Sequence, residues 1–469
     1  MRGVVPAIVV AALCTVAPCL AETIDFSQAV ARAWAANPRS QASSAREQAA
    51  SGQVRAARGK TLPDLSVQFN AARSNDPVQV FGYRLAQRDL TFSDFGLGSY
   101  TGREDLGTVP AELNHPGYAN NFDSAVILTV PLFASGGNRA RVRAAEARLA
   151  AASSGAAATK SRLTFEVLRN YDGVTATRLL LEAASAARRA AEQDLKTARA
   201  LFKRGMTIES DVLTARANLE RAGAAEKAAA AELDNALDAF RTVIAAPADS
   251  ALKPAAAVDV TVPEATLDAL QKRAVAANPQ VQAMRHIVAA RAAEHRAAKA
   301  ANGPRVDLVA RHDWNADTPA LRAPSNTLMG VVSWDLFTAG ARRGDIEAAG
   351  AEWRAAQADL AAAEDAIRLD VVKRRRAVQV AAAQAQAAAV AASQAAEAAR
   401  LLDLRYSQGL TPLDDLLNAQ ARRDQSRAEA VAAAYRAVLA RAALLLAVDR
   451  LDPARAVLRP LVPKMNGGK

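Results

Sequence analysis

The apolar and polar positions of this 469-residue chain follow two different periods. Most of the sequence carries the three-and-four spacing of helices, while a few short stretches alternate strictly. Phe26, Val30 and Trp34 recur at every fourth position and predict a helix from Asp25 to Asn37, which Asn37-Pro38 breaks. A second helix is expected from Arg39 to Gly59. After Pro63 the period changes: Leu65, Val67, Phe69 and Ala71 alternate with Ser66, Gln68 and Asn70. That pattern predicts a strand with one apolar and one polar face. Residues 73–121 are rich in Gly, Pro, Asn and Asp and read as a loop. A second strand, Phe122 to Leu132, leads into the turn Phe133-Ala134-Ser135-Gly136-Gly137. Asn138 to Lys203 is nearly continuous helix, Thr207 to Ala246 returns antiparallel to it, and Pro247, Pro254 and Pro263 mark a linker.

The second half repeats this order. Asn278-Pro279 follows Asn37-Pro38 by 241 positions, and Pro304 follows Pro63 by the same interval. Val306, Leu308 and Ala310 then alternate with Asp307, Val309 and Arg311. Leu336-Phe337 follows Leu132-Phe133 by 204 positions, as Gly409 follows Gly205, Thr411 follows Thr207, Asp415 follows Asp211 and Leu417 follows Leu213. The first half therefore holds 37 more residues between its strands (241 less 204), in a loop, where insertions are tolerated.

Each half contains a helical hairpin with a matched tip. Gly205 and Gly409 suit the left-handed conformation that ends a helix. Thr411 is placed to N-cap the returning helix, Pro412 to occupy its first position, and Asp414 and Asp415 to answer its positive end. The outgoing helix, Gly137 to Gly205, reaches roughly 100 Å at ~1.5 Å per residue, a rod that a globular domain has no use for. The strands are about nine to eleven residues, the length that crosses a bilayer at a tilt. Four strands cannot close a barrel, and lipid tolerates no open edge, so at least two chains must share one.

Composition supports this reading. Hydrophobic residues make up 51% but aromatics only 4%, because alanine supplies much of the apolar count. Alanine-rich helices pack closely in coiled-coil-like layers rather than around a thick core. Met1 to Ala21 reads as a secretory signal peptide, with Arg2, an apolar run from Val4 to Val16, and small residues before a cleavage point after Ala21. Cleavage there removes Cys14 and Cys19, so neither a disulfide nor a thiolate metal site is expected; Pro18 argues against acylation of Cys19. No later apolar run is expected to reach transmembrane-helix length. The net charge of +11 raises nucleic acid as a partner, but an exported chain with few stacking aromatics argues against it. Lys373-Arg374-Arg375-Arg376 points in four directions around a helix and forms no phosphate-binding stripe. The expected organisation is signal peptide 1–21, first repeat 22–254, second repeat 255–452 and tail 453–469.

In this arrangement the chain resembles the TolC-like outer-membrane factor family across residues 22 to about 450. The resemblance is carried by the two Asn-Pro pairs, by Pro131-Leu132-Phe133 with Gly136-Gly137, by Trp334-Asp335-Leu336-Phe337 with Gly340, and by the hairpin tips. Phe81-Gly82-Tyr83-Arg84-Leu85, Phe92-Ser93-Asp94-Phe95 and Leu113-Asn114-His115-Pro116 look like the long first loop of some members. The resemblance implies a mainly α fold of two tandem repeats, with four strands per chain in a shared trimeric β-barrel and long hairpins forming an α-barrel. It implies a homotrimer held in outer-membrane lipid, with a twelve-stranded barrel and a tube of twelve helices through the periplasm. The tips meet a periplasmic adaptor, and an inner-membrane transporter loads the duct, in a tripartite efflux pump or a type I secretion system. Drugs, metal ions and secreted proteins all use such ducts, and the duct itself is no enzyme and carries no cofactor.

By the same resemblance Asp211 and Asp415 help to constrict the tunnel entrance, Tyr406 matches an entrance position, and Gly205, Met206, Thr207, Gly409, Leu410 and Thr411 form the adaptor-facing tips. Asn418 stands where some members carry a second aspartate, and Thr411 where some carry an arginine. The residues alone also allow Asp211 and Asp415 to be helix-start carboxylates and Tyr406 to pack between helices. Gly59-Lys60-Thr61 lacks the upstream glycine and strand of a phosphate-binding loop. His115, His286, His295 and His312 show no metal-ligand spacing, and no nucleophile–base pair stands out. His312 fits a barrel strand. The competing reading is a periplasmic coiled-coil adaptor or scaffold without a pore, which has no need for four lipid-length strands.

Overall fold

The computed structural model describes residues 22–455 and 457–459. The signal-peptide assignment, with Cys14 and Cys19, and most of the tail lie outside the described residues. In chain order the first repeat contains β1 (Glu22–Ile24), α1 (Phe26–Ala36), α2 (Pro38–Gly59), β2 (Asp64–Ser74), α3 (Pro77–Gln87), α4 (Ala111–Asn114), β3 (Ala119–Phe133), α5 (Gly137–Lys203) and α6 (Glu209–Val243). β4 (Leu252–Pro254) closes the first; the second contains β5 (Val258–Asp259), α7 (Leu267–Ala277), α8 (Pro279–Ala300), β6 (Arg305–Ala316), β7 (Pro324–Ser333), α9 (Ala341–Ser407) and α10 (Leu413–Ala447), and β8 (Val457–Leu458) follows in the tail. Corresponding helices have equal lengths: α1 and α7 have 11 residues, α2 and α8 have 22, α5 and α9 have 67, and α6 and α10 have 35.

Contacts divide the chain into two compact units, and each draws on both repeats. The first unit comprises residues 22–45, 154–282 and 362–459 among those described. Its core is built on Tyr171, buried in α5. The ring meets Phe26 and Phe240 edge-on at centroid distances of 5.9 and 5.7 Å. The Tyr171 hydroxyl donates to the Ile24 carbonyl and accepts from the Ala255 N–H, both at 3.1 Å, and so ties α5 to the parallel pair β1–β4. The expected linker thus contains β4 and β5, the latter paired with β8. Phe26 and Val30 are buried as their spacing predicts, while Trp34 stays partly exposed and donates its indole N–H to the Lys160 carbonyl.

The Asn-Pro pairs serve both repeats in one way. Each Asn is the C-cap of its helix, α1 or α7. The Asn37 side-chain oxygen accepts from the Arg39 N–H, and its amide donates to the Val243 carbonyl at 2.8 Å. Asn278 accepts from the Gln280 N–H and donates to the Ala447 carbonyl. One side chain both starts the next helix and satisfies an orphan carbonyl at the end of the returning hairpin helix.

One expectation needs correction here: α10 is long and apolar enough to cross a membrane, with mean hydropathy 1.6 in its best window. Leucine, valine and alanine together supply this hydropathy, and Val431, Val438, Leu444 and Leu445 are buried inside the unit, so α10 is a core helix.

The second unit comprises residues 46–153 and 283–361. Its centre is one antiparallel sheet in the order β2-β3-β6-β7, with β2 and β7 as edges. β3 and β6 run to 15 and 12 residues, longer than expected, and β7 ends at Ser333, so Trp334 to Phe337 lie beyond the strand. Residues 73–121 are not one loop. Asp76 N-caps α3, accepting from the Gln79 N–H, and Pro77 takes the first helical position.

Candidate functional site

The hairpin tips are built alike. At the end of α5 the Met206 N–H donates to the Leu201 carbonyl and the Gly205 N–H to Phe202, each at 2.9 Å. At the end of α9 the Leu410 N–H donates to Arg405 and the Gly409 N–H to Tyr406, again at 2.9 Å. This double bond around a left-handed residue closes a helix end, and φ is +70° at Gly205 and +74° at Gly409. The two tips lie side by side. A Cβ on Gly409 would come within 2.8 Å of the Met206 methyl.

Beyond each glycine the helix starts later than expected, by one residue at α10 and by two at α6. Pro412 is extended and is itself the N-cap of α10, and Ile208 is the N-cap of α6, neither with a side-chain bond to the helix. Thr411 and Thr207 lie one residue further out. Their hydroxyls bond instead to the carboxylates of Asp415 (3.3 Å) and Asp211, in the first turns of the helices. Both aspartates therefore do what helix-start carboxylates do, and Asp415 remains exposed, as does Asn418.

Tyr406 is buried just behind the tips, near Asp211. Only 3% exposed, it packs with Leu195, Ala198, Leu201, Ala215, Leu413 and Leu416, in the core that joins the two hairpins behind their tips. Its hydroxyl has no hydrogen-bond partner. Burial, with the charges of Asp211 and Asp194, pushes its pKa up to about 12. In this chain Tyr406 is a neutral interhelical residue.

A polar pair that the sequence reading missed lies deeper in the same core. Gln420 donates to Asp194 at 2.9 Å, and both are buried. Burial raises the Asp194 pKa; the Gln420 bond and the Arg423 charge oppose that rise, and Asp403 adds to it. Gln420 follows Leu413 and Leu416 on the buried face of α10, so a polar residue within an apolar stripe was the available signal.

The sheet has the two faces that its alternation predicts. On the polar face Asn70 donates to Asp123 at 3.2 Å, Arg311 pairs with Asp123 at 3.0 Å and with Asp313, and Ser325 donates to Asp313 at 2.6 Å. Helix α3 lies against β3 and β6 on this side, where buried Gln87 donates to the Asn120 carbonyl and the Asn121 side chain at 2.8 and 2.9 Å. Arg88 donates to the Pro324 carbonyl at 2.6 Å. On the other face Leu65, Val67 and Phe69 of β2 are exposed, Phe69 stacks on Phe122 at 6.2 Å, and Leu328 of β7 is exposed. His312 belongs to this face, paired with Asn326 at 2.6 Å and set edge-on to Trp314 at 4.3 Å. No group of metal-binding side chains occurs among the described residues.

A family model described as outer membrane efflux protein matches residues 29–246 and 270–449, one segment per repeat. No curated protein sequence matches the chain. Solved structures share the fold. A membrane protein from Pseudomonas aeruginosa is 18% identical, with 90% of this chain and 93% of that one covered and a TM-score of 0.75. The outer membrane protein VceC from Vibrio cholerae is 19% identical over 90% and 95% of the two chains, at 0.72. The Campylobacter jejuni CmeC outer membrane channel is 14% identical over 92% and 88%, at 0.73. With the family model covering both repeats, this chain belongs to the outer membrane efflux protein family, a family of channel proteins rather than enzymes, and is an outer-membrane export duct of the TolC-like class.

Proposed function

We propose that three copies of this chain close one twelve-stranded barrel, the edge β7 of each copy pairing with β2 of the next. The observation that carries this reading is the sheet itself. It has four strands, apolar on one face and polar on the other, and its edges β2 and β7 are solvent-exposed along nearly their whole length. Unpaired backbone at such edges is not tolerated in lipid, so each edge requires a partner from another copy. The detergent-extracted protein is expected to be a trimer by light scattering. A monodisperse monomer that keeps its β-sheet signal overturns the reading.

The tips, Gly205-Met206-Thr207 and Gly409-Leu410-Thr411, are the surfaces offered to a periplasmic adaptor, through which an inner-membrane transporter loads the duct. Met206 and Leu410 are exposed there, as an apolar contact requires. The entrance carries Asp211 and Asp415, each repeated three times around one axis in the trimer. Crowded carboxylates raise the local concentration of cations and repel anions. Asn418 adds no charge, which keeps the preference mild. In planar bilayers, Asp211→Ala with Asp415→Ala is expected to lower cation selectivity. It should also raise conductance if the carboxylates hold partners on neighbouring helices, whose loss lets the tips splay. Unchanged selectivity and conductance would reduce both aspartates to helix-start residues.

A further inference from the structure

A cavity of about 680 Å3 lies where the end of α2, the end of β3 and the first turns of α5 meet. Arg58, Arg139, Arg143 and Glu146 line it, with Leu132 and Phe133 beside them. Arg58 is paired with Glu146 at 2.6 Å. Arg139 and Arg143 have no ion-pair or hydrogen-bond partner among the described residues. The first turn of α5 contains no acidic residue, although a helix N-terminus favours one. Two arginines and a helix N-terminus therefore share one concavity whose lining carboxylate, Glu146, is already engaged by Arg58.

The second repeat provides an internal comparison. At the offset of 204, Arg139 corresponds to Arg343, Arg143 to Glu347, Asn138 to Arg342 and Pro131 to Asp335. There Arg343 is paired with Glu347 at 2.9 Å and Arg342 with Asp335, so the arginines at the start of α9 are neutralised within the chain. In the first repeat the residue that would neutralise Arg139 is itself an arginine, and Pro131 replaces the other acid. Both arginines are exposed, so an anion outside the chain can reach them.

The surroundings specify that anion. The cavity lies at the helix-side end of the sheet, opposite the α3 loop. Leu132 and Phe133 are exposed at its wall, Leu62 is exposed at the neighbouring start of β2, and the apolar face of that strand continues through Leu65 and Val67. A ligand that fits has an anionic phosphate group joined to an apolar chain that runs along the sheet. We propose that this cavity binds the headgroup of an anionic phospholipid in the periplasmic leaflet of the outer membrane, its acyl chain lying along Leu132, Phe133 and the outer face of β2. The inference rests on the reading of the sheet as membrane-spanning.

The test uses the full-length trimer, delipidated in detergent and titrated in native mass spectrometry with phosphatidylglycerol or with phosphatidylcholine of the same chains. The unmodified protein is expected to hold phosphatidylglycerol roughly tenfold more tightly or better. Arg139→Gln with Arg143→Gln abolishes that preference, and Arg343→Gln, whose arginine is already paired, leaves it unchanged. Equal retention of the two lipids by the unmodified trimer overturns the proposal, as does full retention of phosphatidylglycerol by the double variant. Displacement of phosphatidylglycerol by millimolar inorganic phosphate alone also overturns it, because the acyl chain then contributes nothing. Conductance of the unmodified trimer in planar bilayers reports separately on the barrel. A conducting trimer without lipid preference sinks this inference alone, and a protein that forms no channel sinks the barrel reading and this one with it.

Discussion

Val67→Arg is expected to cut the amount of assembled trimer in the outer membrane sharply, while Gln68→Arg leaves it near the unmodified level. The two residues are adjacent in β2 and face opposite ways. Val67 is 75% exposed, on the face shared by Leu65 and Phe69, and pairs in register with Val126 of β3. If that face meets hydrocarbon near the middle of the bilayer, arginine there costs about 2–4 kcal/mol per chain. In the proposed trimer that cost recurs three times. Gln68 pairs in register with Ala125, on the face where Asn70, Asp123, Arg311 and Asp313 gather. Arginine at Gln68 enters a polar, water-accessible wall that already holds one. The measurement is the amount of trimer recovered from outer-membrane fractions, read by native gel electrophoresis. Equal yields from the two variants would show that the faces are assigned wrongly.

These faces were readable in the sequence because alternation is a strong signal in a strand and needs no tertiary information. The hairpin tips were readable for a similar reason. A glycine with positive φ, a hydroxyl residue and an acid recur at one spacing in both repeats, and each is demanded by local geometry. The start of α10 was misplaced by one residue because proline fits both the first helical position and the cap before it, and only its ψ of 154° decides. Helix α3 went unread although its start signal, Asp76-Pro77, was present. It has little pattern of its own because its buried contacts, through Val80 and Gln87, are set by the sheet beneath it. Asp172 and Asp194 were illegible for another reason. In α5 so many positions are alanine that no apolar stripe marks the buried face, and a carboxylate on it looks like any solvated one.

Asp172 carries the last prediction: stability that falls as pH rises from about 4 to about 7, and a variant that lacks this fall. The residue is fully buried in α5 next to Tyr171. One carboxyl oxygen accepts from the Val258 N–H at 2.9 Å, and the other has no partner. Burial raises the pKa to about 7. The Val258 bond opposes the rise and the Asp259 charge adds to it. Asp259 is itself held by Arg441 at 2.5 Å and Arg459 at 3.7 Å. Because the folded pKa lies above the unfolded value of 3.8, the folded state binds the proton more tightly. No penalty exists below pH 4, where both states are protonated. Between 4 and 7 the unfolded carboxyl ionises freely while the folded one resists, and stability is lost; well above 7 the loss is complete, on the order of 4 kcal/mol. Asp172→Asn retains an oxygen for the Val258 N–H and cannot ionise. The variant is expected to unfold at a temperature close to that of the unmodified protein at pH 4 and several degrees higher at pH 8, as read by far-ultraviolet circular dichroism of the trimer in detergent. A variant less stable by the same margin at both pH values would mean that the carboxylate contributes only as an acceptor and does not titrate in this range.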